Sequence, residues 1–223
     1  MKIILLTVAP IAIIILYIYI KDKYDREPIQ LLFKTFLGGA ILSILTTIVI
    51  SMVVMKIFPL TDQYSIWQQF LKAFLVVALV EEFSKYIIVR YFAQPKKAFN
   101  EKFDGIVYAV MVSMGFAFTE NIFYVMDGGY ATALARAFTA VPAHATFGVL
   151  MGYYMGKAKF CKQKWKYNLL GLGLAVLFHG AYDFFLFISF VPGIWIGAFI
   201  SLIVGLYFSK KAINTHLKNS LFK

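Results

Sequence analysis

Apolar residues in this chain fall in long unbroken runs, at 3–20, 35–55, 70–92, 105–126, 134–156, 169–190 and 193–208. Each run is close to the roughly 17–25 residues that a helix needs to cross a bilayer. A membrane barrel would show alternating segments of about ten residues instead. Val191-Pro192-Gly193 is the turn signal that separates the last two runs. The pattern predicts an all-α fold: a polytopic transmembrane helical bundle of about seven spans, forming a single integral membrane domain over residues 1–223. The first run follows Lys2, as a secretory signal would. It is longer than a signal core, and no small-x-small site precedes Lys21-Asp22-Lys23, so it reads as a retained anchor.

Composition removes the soluble alternatives. Hydrophobic residues make up 61% of the 223 and charged residues 15%, against roughly 25% charged in soluble domains. Mean hydropathy is +0.76. The lone Cys161 excludes an internal disulfide.

Within this apolar chain, 22 Lys and Arg outnumber 11 Asp and Glu, a net charge of +11. Their placement gives them a meaning. Lys21, Lys23 and Arg26 follow the first run, and Arg90, Lys96, Lys97 and Lys102 surround the end of the third. Lys157, Lys159, Lys162, Lys164 and Lys166 follow the fifth, and Lys210, Lys211, Lys218 and Lys223 form the tail. The intervening loops, including Asp127 to Ala133, carry no basic residue. Sixteen of the 22 basic residues thus lie on alternate loops, which the positive-inside rule assigns to the cytoplasm. The expected orientation is N-terminus outside and C-terminus in the cytoplasm. Phe160, Trp165 and Tyr167, interleaved with the lysines, suit a bilayer interface. The partner that this charge implies is the lipid bilayer, and no nucleic acid is expected.

Acids and histidines inside the runs are the informative exceptions: Glu81, Glu82, Glu120, Asp183, His144 and His179. Each costs at least ~2.5–3.5 kcal/mol to insert, so it faces the bundle interior and marks a functional site. At 1.5 Å rise per residue, Glu81, Glu82, His144 and His179 lie about 15–18 Å from the extracytoplasmic ends of their helices, and Glu120 and Asp183 roughly 9–10 Å. Four helices therefore put these groups in one layer. His179 and Asp183 share a helix face, as do Phe116 and Glu120, and Lys85 lies three and four residues beyond Glu82 and Glu81. Asn121 adds an amide beside Glu120. Two adjacent carboxylates in a low dielectric do not both ionise cheaply, which suits one of them to take a proton from water. The plainer reading of Glu81 with Lys85 is an ion pair that only orders the bundle. Arg136, near the outer end of its run, reads equally as an interfacial residue or a substrate contact. His216 reads as a solvated residue of the basic tail, and Gly148, Gly152 and Gly156 as a close-packing series.

Known hydrolytic plans narrow the chemistry. No His-Glu-x-x-His occurs around His144 or His179. Asp183 is the only aspartate within the runs, so an aspartyl dyad is not available. Ser113 lacks the surroundings of a serine nucleophile. What remains is glutamate with histidine, either activating water directly or jointly holding a metal that does so.

Glu81-Glu82-x-x-Lys85, Phe116-Ala117-x-x-Glu120-Asn121, His144-x-x-x-Gly148 and His179-x-x-x-Asp183, in this order, resemble the PrsW family of bacterial membrane proteases. The wider group of CAAX-processing and bacteriocin-processing proteases is similar. Glu120, Asp183 and Lys85 depart from the CAAX pattern and favour the PrsW branch. The resemblance implies a protease of the bacterial cell membrane that makes the first, extracytoplasmic cut in a membrane-anchored anti-sigma factor, releasing a sigma factor in envelope stress. The expected partner is then a single-span anti-sigma factor. The expected catalytic residues are Glu81, Glu82, His179 and His144, with Lys85, Glu120, Asn121 and Asp183 in support. Either glutamate polarises water and His179 donates to the oxyanion. The sequence itself demands no cofactor. In the metal variant Glu82, His144 and His179 hold a divalent ion such as zinc, with one position open for water. Buried acids and histidines also mark ion pathways, so a proton- or ion-coupled transporter is the rival class, and a CAAX-type processing protease is the rival within hydrolysis.

Overall fold

In the computed structural model, which describes residues 2–220 and 222, the apolar runs are helical and no strand occurs among the described residues. Lys223 of the basic tail lies outside them. A helix satisfies its own backbone groups, as an apolar surrounding requires. α1 spans Lys2–Lys21, α2 Ile29–Leu37, α3 Ile44–Ile57, α4 Ile66–Leu71, α5 Leu79–Ile87, α6 Asp104–Phe138, α7 Ala140–Lys159, α8 Lys164–Phe187 and α9 Ile196–Lys218. Three wide π-type turns join some of these end to end. Gly38–Ser43 links α2 to α3, Lys72–Ala78 links α4 to α5, and Ile88–Ala93 extends α5. Ser65 caps the start of α4, its hydroxyl accepting from Gln68 N at 3.3 Å.

The outer surface is apolar, with Ile13, Leu16, Leu45, Val49, Ile200 and Ile203 all exposed, as a lipid-facing surface requires. Five helical stretches are long and apolar enough to cross a membrane: Ile3–Lys21, Ile29–Ile57, Asp104–Lys159, Lys164–Phe187 and Ile196–Lys218. The segment over residues 66–93 stands apart because it carries Lys72, Glu81, Glu82, Lys85 and Arg90.

The 56-residue stretch Asp104–Lys159 is a hairpin of two antiparallel arms. Gly105 lies against Gly152, Ser113 against Gly148 and Glu120 against His144. The direction reverses at Gly129, whose φ of 65° and ψ of −149° belong to a region open essentially only to glycine. The sequence placed a seven-residue loop at Asp127 to Ala133; helix instead runs up to Gly129 and resumes directly after it. The Gly128-Gly129 pair supplies the whole turn, and Ala131 to Ala135 are good enough helix formers to leave no loop behind.

Close backbone approach holds the arms together. A Cβ on Gly152 would overlap the Gly105 carbonyl, and one on Gly156 would overlap the Lys102 carbonyl, as the glycine series suggested. The buried first half of α6 is the axis of the bundle, with α1 and α2 on one side and α7 on another. At the far end of the chain the solvated-tail expectation fails for His216. α9 continues well past residue 208, and His216, 2% exposed, stacks on Tyr153 with ring centres 4.3 Å apart. The helix that carries the basic tail simply keeps packing its apolar face on α7.

Candidate active site

Four elements converge on one buried cluster. α5 brings Glu81, Glu82 and Lys85, α6 brings Glu120 and Asn121, α7 brings His144 and α8 brings His179 and Asp183. The sequence grouped all of these residues, and the structure does place them together.

Lys85 is the hub. Its Nζ donates to Glu82 Oε1 at 2.7 Å, lies 3.6 Å from Glu81 Oε2 and 4.1 Å from the centre of the Phe116 ring. It also reaches His144 Nδ1 at 3.2 Å. An ammonium only donates, so Nδ1 accepts and the remaining proton of His144 sits on Nε2, which points at Glu120 Oε2 at 2.8 Å. Lys85 on one side and Glu120 on the other thus fix the tautomer of His144.

His179 is held by acids at both nitrogens. Nδ1 lies 2.9 Å from Glu82 Oε1, and Nε2 lies 3.2 Å from Asp183 Oδ2 and 4.0 Å from Glu81 Oε2. Phe147 stacks on the ring with centres 4.8 Å apart. Asp183 orients this imidazole, as its spacing of four residues suggested.

Arg136 is paired within the cluster. Its Nε donates to Asn121 Oδ1 and its Nη2 to Glu120 Oε2, each at 2.6 Å, across the hairpin. The pairing is invisible in the sequence because the partner acid is 16 residues away on the opposite arm. The available signal was an arginine beyond a loop otherwise free of basic residues, opposite an acid without a counterion.

The two adjacent glutamates differ. Glu82 is 0% exposed and is tied to Lys85 and His179 through Oε1. Glu81 is 8% exposed, and its Oε2 has no hydrogen-bond partner. Oε2 of Glu82 is likewise buried without a partner, so the difference between the two is that Glu82 is anchored through Oε1 and Glu81 is not.

Charge counting sharpens the chemistry. Glu81, Glu82, Glu120 and Asp183 face only Lys85 and Arg136 as permanent cations. With neutral imidazoles two negative charges remain in a buried space, a costly state unless cations or protons balance them. Two sets of ligand atoms lie within 4.8 Å of one another: Glu81 with Glu120 and His144, and Glu81 with Glu82 and His179. Both are carboxylate–imidazole sets of the kind that holds zinc, and both use Glu81. The expected metal set of Glu82, His144 and His179 is not one of them. Lys85 Nζ sits between Glu82 and His144 and keeps a cation from bridging that pair.

Acids and imidazoles gathered inside a multi-helix membrane bundle are the groups that an intramembrane peptidase needs. The chain belongs to the PrsW family, described as PrsW family intramembrane metalloprotease, whose pattern matches residues 27–209 and so takes in every residue of the site. It is 38% identical over 194 residues to Protease PrsW of Geobacillus kaustophilus, covering 86% of this chain and 83% of that protein. Protease PrsW of Oceanobacillus iheyensis is 38% identical over 208 residues, 92% of this chain and 93% of the relative. Protease PrsW of Bacillus subtilis is 38% identical over 188 residues, 80% of each. No solved structure matches the chain. The apolar helices and the bacterial relatives make this a multi-pass membrane protease of the bacterial cell membrane.

Proposed function

We propose that this chain makes the first, extracytoplasmic-side cut in a single-span anti-sigma factor, with Glu81 as the group that activates water. The observation that carries the chemistry is that Glu81 belongs to both candidate metal sets and makes no hydrogen bond among the described residues, whereas Glu82 is held through Oε1 by Lys85 and His179. Support for an outward-side cut comes from the charge of the loops, which assigns the outer half of the helices to the acids and histidines.

In this reading water attacks the scissile carbonyl carbon as Glu81 takes its proton. His179, whose Nε2 edge faces Glu81, donates to the developing oxyanion. The carbon–nitrogen bond then breaks, and the proton on Glu81 passes to the leaving amine. Lys85 and Glu120 hold His144 in the tautomer that positions the peptide carbonyl, and Glu82 and Asp183 orient His179. A divalent metal fits the donor sets that share Glu81, and when bound it would supply a Lewis acid that eases water deprotonation.

The test is cleavage of a reconstituted single-span anti-sigma-like substrate, with the cut site mapped for wild type, Glu81→Ala and Glu82→Ala side by side. A single cut on the extracytoplasmic side, lost in both variants, is the expected result. Full activity in both variants, or ion flux without cleavage, sinks the proposal.

A further inference from the structure

A second cluster of buried acids lies at the opposite end of α6, about 24 Å from Glu120 at 1.5 Å per residue. Asp22 comes from the connection after α1, Glu101 from the turn before α6, and Asp104 is the first residue of α6. With Glu27 beside them, all four are at most 4% exposed. Every ion pair among the described residues lies in the first cluster, and none of them involves these four acids.

Half of each aspartate is accounted for. Asp104 Oδ2 accepts from the backbone N–H groups of Asn100 and Glu101 at 2.7 and 2.8 Å, and Asp22 Oδ2 accepts from Glu27 N at 3.1 Å. Glu27 accepts from the Tyr108 hydroxyl, and Glu101 Oε2 accepts from Ser220 Oγ at 2.5 Å. The other halves are not. Asp22 Oδ1 and Asp104 Oδ1 are buried with no hydrogen-bond partner, a state that costs free energy unless something else satisfies them.

One carboxylate oxygen from each of Asp22, Glu101 and Asp104 lies within 4.8 Å of the others. Oxygens on opposite sides of a calcium ion, at about 2.3–2.6 Å each, are separated by a similar distance. The donors are all oxygen, with no imidazole or thiolate, which selects a hard cation over zinc and sets this cluster apart from the active site. We propose that Asp22, Glu101 and Asp104 bind a hard divalent cation, Mg²⁺ or Ca²⁺, which fastens the α1–α2 connection and the turn before α6 to the foot of the helix bearing Glu120. The site ties together segments far apart in sequence, and its two orphaned oxygens come from two of them.

The test uses the full chain in detergent micelles after chelator treatment, titrated separately with Ca²⁺, Mg²⁺ and, as a paramagnetic probe, Mn²⁺. One ion per chain and a rise of about 3–6 °C in the unfolding midpoint are expected. Binding is retained in a Glu81→Ala/His144→Ala double variant, which disables the active-site sets, and is lost in Asp22→Asn and Asp104→Asn. Asp22 lies in a connection, so Asp22→Asn serves if Asp104→Asn does not fold. Absence of binding at millimolar concentrations of all three ions overturns the site. So does undiminished binding in Asp22→Asn. An Asp22→Asn chain at least as stable as wild type, with no cation effect on either, overturns it too and means that shared protons hold the acids.

Discussion

Lys85 donates to Glu82 at 2.7 Å, and both partners are withdrawn from solvent almost completely. Removing either partner of such a pair strands the other, whereas removing both together need not. Lys85→Met is therefore expected to destabilise the protein by about 3–5 kcal/mol, and Lys85→Met/Glu82→Leu by less than the two single changes combined. Unfolding midpoints of the four proteins in one detergent check this, and strict additivity counts against it.

Glu81 and Glu82 are adjacent but should fail differently. Glu81→Gln keeps the shape and removes the carboxylate base, so cleavage should fall about 10²–10⁴-fold with little change in unfolding temperature. Glu82→Gln loosens both Lys85 and His179 and should reduce activity and stability together. Equal stability losses in the two variants would contradict the division between a working and a locked carboxylate.

Arg136 reaches Glu120 and Asn121 across the hairpin and hydrogen-bonds no other member of the cluster. Arg136→Ala is expected to lower kcat about 10–100-fold, the usual scale for a partner that orients a working residue, with KM nearly unchanged. Arg136→Lys should restore part of the loss. A change confined to KM would instead make Arg136 a substrate contact.

The two uncompensated negative charges of the active site lead to a chelation experiment. If a divalent metal balances them, a strong chelator abolishes cleavage and zinc restores it, while Glu81→Gln lowers the amount of zinc retained on the chain. Full activity in rigorously metal-free protein leaves protonated imidazoles as the balancing charges.

Gly129→Ala tests the hairpin. Its backbone conformation costs a side chain about 1–3 kcal/mol, so a comparable loss of stability is expected in a chemical unfolding curve. Gly173→Ala is the control, since open space surrounds that glycine in an ordinary helical backbone.

Much of this was readable in the sequence, for a physical reason. Glu81, His144 and His179 stand out because an apolar run offers few other ionisable groups, and a shared depth was enough to group them. Their pairing was less legible. The spacing of Lys85 announced its contact with Glu82, but no local rule could say that His144 of α7 would approach the same ammonium. Arg136 and Glu120 meet only because the chain reverses at Gly129, and a Gly-Gly pair reads as a loop as easily as a hinge. His216 misled because basic neighbours suggested solvent, whereas an amphipathic helix had one face left to bury. Asp22 and Glu27 were hidden by the lysines around them: net charge describes a loop, not which of its members turns inward.

The wide turn at Lys72–Ala78 has a consequence for how this helix tolerates change. An α-helix advances about 100° per residue, and a π-type turn accommodates one residue more than the regular spiral. Length between Lys72 and Glu81 is therefore an angular setting. Dropping one residue there would leave an apolar helix of almost the same composition, yet swing both glutamates about a quarter of a revolution away from the histidines. Insertions and deletions, ordinarily the gentlest edits at a protein's surface, act in this stretch as rotations of the active site, so the number of residues matters more than most of their identities.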